Sequence, residues 1–218
     1  MKIKLAIAFM AITSMAVGQT VEQRDSIVNE ICKTIVEHAS KPDSIRVQIA
    51  YETHLFPVME GLTDQQMREL ASNIFYRLQR NCVEFKKILE ARDPPRGDWS
   101  VVDKKPVSKL DQEGCRSFLE HEKYAYLEST GDTVVLHIEN GYWTDRFKNG
   151  TYSKLKFNWI GDCEFEIEFV ESNNYIRKNL SKPGDKYRYQ ILDKKDGYYD
   201  MSAQIPGIER FMLFKIYY

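Results

Sequence analysis

Apolar residues follow two rhythms along this chain. In the first, Ile27, Ile31, Cys32, Ile35, Val36 and Ala39 recur every three to four positions and form one stripe of a helix. Lys41-Pro42-Asp43 breaks that helix, and Asp43 or Ser44 is placed to cap a second. Ile45, Ile49, Ala50, Thr53 and Phe56 continue the period on it until Pro57 and Gly61 interrupt. Thr63-x-x-Gln66 is a capping box, with Asp64 in the first turn where the helix dipole favours an anion. It opens a third helix whose stripe runs through Met67, Leu70, Ala71, Ile74, Leu78, Cys82, Phe85 and Leu89. Asp93-Pro94-Pro95-Arg96-Gly97-Asp98 ends the helical part, because two prolines and a glycine cannot extend it.

After Cys115 the period becomes two. Val134, Leu136 and Ile138 alternate with Val135, His137 and Glu139; Leu155, Phe157 and Trp159 with Lys154, Lys156 and Asn158; Cys163, Phe165, Ile167 and Phe169 with Glu164, Glu166 and Glu168. Each run reads as a strand with one buried and one wet face. Turn signals such as Asn140-Gly141, Asn149-Gly150, Asp196-Gly197 and Pro206-Gly207 separate the runs, with a longer gap around 171–185. The expected fold is therefore α+β: about three helices over 20–92, a polar linker over 93–112, and eight or nine antiparallel strands over 113–218. Cys115 is expected to open the first strand. A meander of that many strands commonly closes into a barrel, which removes its edges; a two-sheet sandwich is the alternative.

The first 19 residues read as a secretory leader, with Lys2 and Lys4 before the apolar run Leu5 to Val17 and small residues after it. That run is too short to span a bilayer comfortably, and no second one follows, so no membrane span is expected after cleavage. With Lys2 and Lys4 gone, 29 basic residues face 32 acidic ones, which gives no electrostatic case for nucleic acid. The cysteines are Cys32, Cys82, Cys115 and Cys163, an even count that in an exported chain favours disulfides. Three pairings exist. The modular organisation favours Cys32–Cys82, on facing helical stripes, and Cys115–Cys163, stapling the β-module; buried free thiols are the alternative. The implied location is secreted or periplasmic.

A Cys-Arg-x-Phe opening (Cys115 to Phe118), an Asn-Gly turn and Trp-Ile-x-Asp-Cys-x-Phe (Trp159 to Phe165) resemble the β-modules of small exported bacterial proteins, which are themselves similar to lipocalin and calycin barrels. The resemblance covers roughly residues 110–218 and implies a fold rather than an activity. Gly141-Tyr142-Trp143 matches the Gly-x-Trp that lipocalins carry on their first strand, but here it falls two or three strands into the module.

Candidate chemistry is sparse. No two of His38, His54, His121 and His137 are spaced as metal ligands on one helix, and no nucleophile elbow, phosphate-cradling glycine loop or Cys-x-x-Cys occurs. No metal, cofactor or catalytic residue is expected. The row Glu164, Glu166 and Glu168 reads as a solvated face, facing Lys154 and Lys156 on the preceding strand. Arg96-Gly97-Asp98 spells an integrin-recognised tripeptide, and Asn149 and Asn179 stand in glycosylation sequons. The best functional hint is aromatic: Tyr126, Trp143, Phe157, Trp159, Phe165 and Tyr189 are candidates to line an apolar ligand site. The expected function is a non-enzymatic exported protein whose barrel holds a small hydrophobic ligand or a partner. A structural or interaction protein of the cell envelope with a solid β core is the first alternative, and a hydrolase with a dispersed site the second.

Overall fold

The computed structural model describes residues 19–121 and 123–218; the leader, apart from Gln19, lies outside them. The helical rhythm folds as α1 (Val21–Glu37), α2 (Asp43–His54), the single turn α3 (Phe56–Met59), α4 (Asp64–Asn81) and α5 (Val83–Arg92). Thr20 with Gln23, and Thr63 with Gln66, form reciprocal capping boxes that satisfy the first free N–H groups of α1 and α4. The stripes meet in one core of Val28, Ile31, Ile35, Ile74, Leu78 and Phe85, among others. Cys32 and Cys82 are bridged there.

The long third helix expected from the sequence is two. Cys82 has an extended backbone; its N–H donates to the Leu78 carbonyl and closes α4, while its carbonyl accepts from Lys86 N–H and opens α5. One residue thus caps both helices, and the apolar period passes through the bend unbroken.

The alternating rhythm folds as β2 (Tyr124–Leu127), β3 (Thr133–Glu139), β4 (Tyr142–Arg146), β5 (Tyr152–Trp159), β6 (Glu164–Ser172), β7 (Lys186–Lys195), β8 (Tyr198–Gln204) and β9 (Phe211–Tyr217), after the short β1 (Ser100–Val102). All neighbours are antiparallel. The eight strands β2 to β9 form a closed barrel, because β9 pairs with β8 along its length and with β2 at Ala125↔Tyr217. The barrel interior takes Phe165, Ile167 and Phe169 from β6, while Glu164, Glu166 and Glu168 face out. Asn140 and Gly141 both have positive φ (51° and 76°), the geometry a two-residue hairpin needs between β3 and β4.

Three segments differ from the sequence reading. Within 93–112, Ser100–Val102 is a strand that adds to β9, and the Trp99 indole N–H donates to the Leu127 carbonyl, so the expected linker is tied to the barrel. Cys115 does not open a strand: it lies on α6 (Gln112–Arg116), capped by Asp111, whose carboxylate accepts from Gly114 N–H at 2.8 Å. A helix of five residues is shorter than any readable period. With the single 3-10 turn that follows, it plugs one barrel end, held by the Cys115–Cys163 disulfide and by the fully buried Phe118. The gap at 171–185 holds α7 (Tyr175–Leu180), nucleated by the Asn174 side chain accepting from Ile176 and Arg177 N–H.

The helices close the other end. Arg77 of α4, 4% exposed, pairs with Asp25 of α1 and with Asp185 at the start of β7, and it donates to the Leu180 carbonyl at 3.0 Å. Arg80 adds the Tyr187 hydroxyl at 3.1 Å and Asp185 at 3.3 Å. From α5, Glu90 meets Arg210 at 2.5 Å. Among the described residues, no helix is long and apolar enough to cross a membrane.

Candidate functional site

The barrel has two unlike halves. Toward the α6 plug it is solid. Phe118 packs against Tyr124, Phe165 and Tyr199 with ring centroids 4.9–5.8 Å apart, and Phe165 in turn meets Phe157 at a tilt and Trp159 edge to face. Toward the helices the same interior opens into a cavity of about 380 Å³. That volume is within the range of small-molecule sites. Its aromatic lining is Trp99, Tyr126, Trp143, Phe169, Tyr187, Tyr189 and Phe214, with Leu155 and Ile167 between them. Trp99 stacks on Phe214 at 4.7 Å, and Trp143 leans on Tyr189 at 5.3 Å. The strands place these rings by register: Trp143 faces Leu155 across β4–β5, and Tyr189 faces Phe165 across β6–β7.

The six aromatic candidates divide along this boundary. Tyr126, Trp143 and Tyr189 line the cavity; Phe165 lies one layer beneath, against Trp143 and Tyr189; Phe157 and Trp159 belong to the solid half. Alternation marks which side chains point inward, but not at which height the interior ceases to be filled.

The sequence reading missed the polar corner of this cavity. Asp145, two residues after Trp143 on the same inward face, is 7% exposed. Its Oδ1 accepts from Trp143 Nε1 at 2.9 Å. Burial pushes its carboxyl up to about 6, although Arg177 and the Trp143 and Tyr126 donors pull the other way. Arg177 enters from α7, lies over the Phe147 ring and pairs with Glu128 in the β2–β3 turn. Its guanidinium is held protonated: burial opposes the charge, but Tyr126, Glu128 and Asp145 around it more than compensate. Burial also raises the Tyr126 and Tyr189 hydroxyls above the ordinary phenol range. An acid at an inward strand position was the available signal, since buried polar groups are the informative exceptions. Arg177 gave none, because its helix is six residues long.

Other candidate groups are engaged in the fold. Thr34 holds two histidines, its hydroxyl at 2.8 Å from His54 Nε2 and its carbonyl at 3.0 Å from His38 Nδ1. His121 stacks on Tyr218 and meets the Tyr199 hydroxyl. Glu164, Glu166 and Glu168 pair with Lys105, Lys186 and Lys156. The tripeptide at 96–98 does not offer a free acid: Asp98 accepts from the Tyr217 hydroxyl at 2.8 Å and pairs with Lys215. Among the described residues, no three His, Cys, Asp or Glu side chains cluster as metal ligands.

Comparison with protein-family models, with curated proteins and with solved structures finds no match to this chain.

Proposed function

We propose that this protein binds a small, largely apolar molecule inside its barrel, as an exported, non-enzymatic binding protein. The observation that carries the reading is the cavity of about 380 Å³ at the helix-facing end of the barrel, lined by seven aromatic residues. A barrel of eight strands is narrow enough for side chains to fill it, and this one is filled only in the half next to the plug. Empty apolar space forgoes dispersion contacts, so retaining it is costly unless a ligand restores them. The two disulfides support an oxidising compartment outside the cytosol, secreted or periplasmic.

Two of the three tryptophans, Trp99 and Trp143, line the cavity, so ligand entering it must alter the intrinsic emission. Titration with an apolar fluorescent probe, anilinonaphthalene sulfonate, is expected to saturate at one probe per chain with energy transfer from tryptophan. Native mass spectrometry of protein purified from its own source is expected to show a co-purifying small molecule. An empty protein that also leaves the probe unbound would overturn the reading.

A further inference from the structure

Six charged side chains line the cavity: Arg80, Lys86, Glu90, Asp145, Arg177 and Arg210. Five have an opposite charge within reach. Arg80 meets Asp185 at 3.3 Å, Lys86 meets Glu90 at 4.0 Å, Glu90 and Arg210 meet at 2.5 Å, and Arg177 takes Glu128. Asp145 is the sixth, and no cationic side chain among the described residues lies within ion-pairing distance of it. The nearest guanidinium, Arg177, is committed to Glu128, so two carboxylates share one cation and the corner holds one negative charge in excess. Such a charge is kept in a barrel interior at a cost unless something pairs with it. Around it stand the Trp143 indole, which donates its N–H to the carboxylate, and the Tyr126 and Tyr189 rings, so that an alkylammonium paired there would sit among aromatic side chains, which favour a cation.

We infer that the ligand of this cavity is an organic amine, its ammonium paired with Asp145 and ringed by Tyr126, Trp143 and Tyr189, its apolar body lying on Leu155, Ile167 and Phe214. The inference rests on the proposed binding role and names its ligand class. The groups that face Asp145 are Tyr126 from β2, Glu128 from the β2–β3 turn, Trp143 on its own strand, Arg177 from α7 and Tyr189 from β7; its strand neighbours Leu136 and Ser153 do not titrate. Both phenols and the guanidinium keep their protons through the mildly acid range, and Glu128 is paired. Amine affinity therefore follows the ionisation of Asp145, half complete at about pH 6 and lost below it.

The test is calorimetric titration of the whole protein with three probes of one body: 2-phenylethylamine, 2-phenylethanol and 3-phenylpropanoate. The amine is expected to bind at least tenfold more tightly than either of the others at pH 7. Its affinity should fall about tenfold between pH 7 and pH 5, where its own ammonium stays protonated and the alcohol is unaffected. In Asp145→Asn the amine should lose its advantage over the alcohol. Equal binding of the three, preference for the carboxylate, or an amine affinity flat with pH in the unaltered protein would overturn the amine and leave the cavity reading standing. Binding of none of the three, and of no other apolar probe, would overturn both.

Discussion

Asp145 sets a stability cost that grows as pH rises through the mildly acid range. Its carboxyl titrates at about 6 in the folded protein and near 3.8 unfolded. Below pH 3.8 both states hold the proton and nothing is lost. Between 3.8 and 6 the folded chain retains a proton that the unfolded chain has released, so stability falls as pH rises; above 6 the full penalty applies, about 3 kcal/mol. Asparagine keeps an oxygen for the Trp143 indole and carries no charge. Asp145→Asn should therefore be more stable than the parent by up to about 3 kcal/mol at pH 7.5 and equal to it near pH 3.5, as read by urea denaturation at both values. A variant destabilised equally at both would mean that the carboxylate is satisfied within the fold and awaits no ligand. The residue was legible as an exception, since Trp143 and Asp145 share one face of a strand and that face is the buried one. Composition gave no hint of it, because the whole-chain charge is balanced to −1.

At the scale of elements, the hold of the helices on the barrel runs through α4. Arg77 lies between Asp25 and Asp185, and Asp185 is itself 8% exposed. Removing the guanidinium leaves that carboxylate buried with Arg80 as its remaining cation and the Lys182 N–H as a donor. Arg77→Ala is expected to cost about 3–5 kcal/mol in urea. Far-ultraviolet helix signal should be lost at lower denaturant than near-ultraviolet signal from the barrel aromatics; coincident transitions with no loss of stability would show the docking to rest on apolar contact instead. This charge cluster joins residues more than a hundred positions apart, and no local pattern announces it. What was legible had length: helices of a dozen residues or more, and strands long enough to alternate. That sufficed for the barrel and for both disulfides, since each pair of cysteines fell within one module. What was not legible was short or set by tertiary contact: α6 around Cys115, α7 in the 171–185 gap, the three-residue β1, and the bend at Cys82. Two of these, α6 and α7, decide where the interior is plugged and which cation reaches it.

For the whole molecule, the question is whether the open half of the barrel is a site or only space left unfilled beneath the helices. Ala203 on β8 lines that space, opposite Tyr189 of β7 and Met212 of β9. A large side chain added to a filled core forces strain of about 1–3 kcal/mol, whereas one added beside a void gains contacts that the void withheld. Ala203→Phe should therefore fold with a melting temperature equal to or above the parent's. If the cavity is where ligands bind, the same variant should lose at least tenfold in affinity for an apolar probe, with the barrel's circular dichroism unchanged. The two readouts together separate the alternatives. Stability gained with binding lost assigns the space to a ligand, because the fold by itself prefers it filled. Stability gained with probe affinity kept would place the probe on the outer surface, and the barrel would then be a scaffold for whatever its exterior meets.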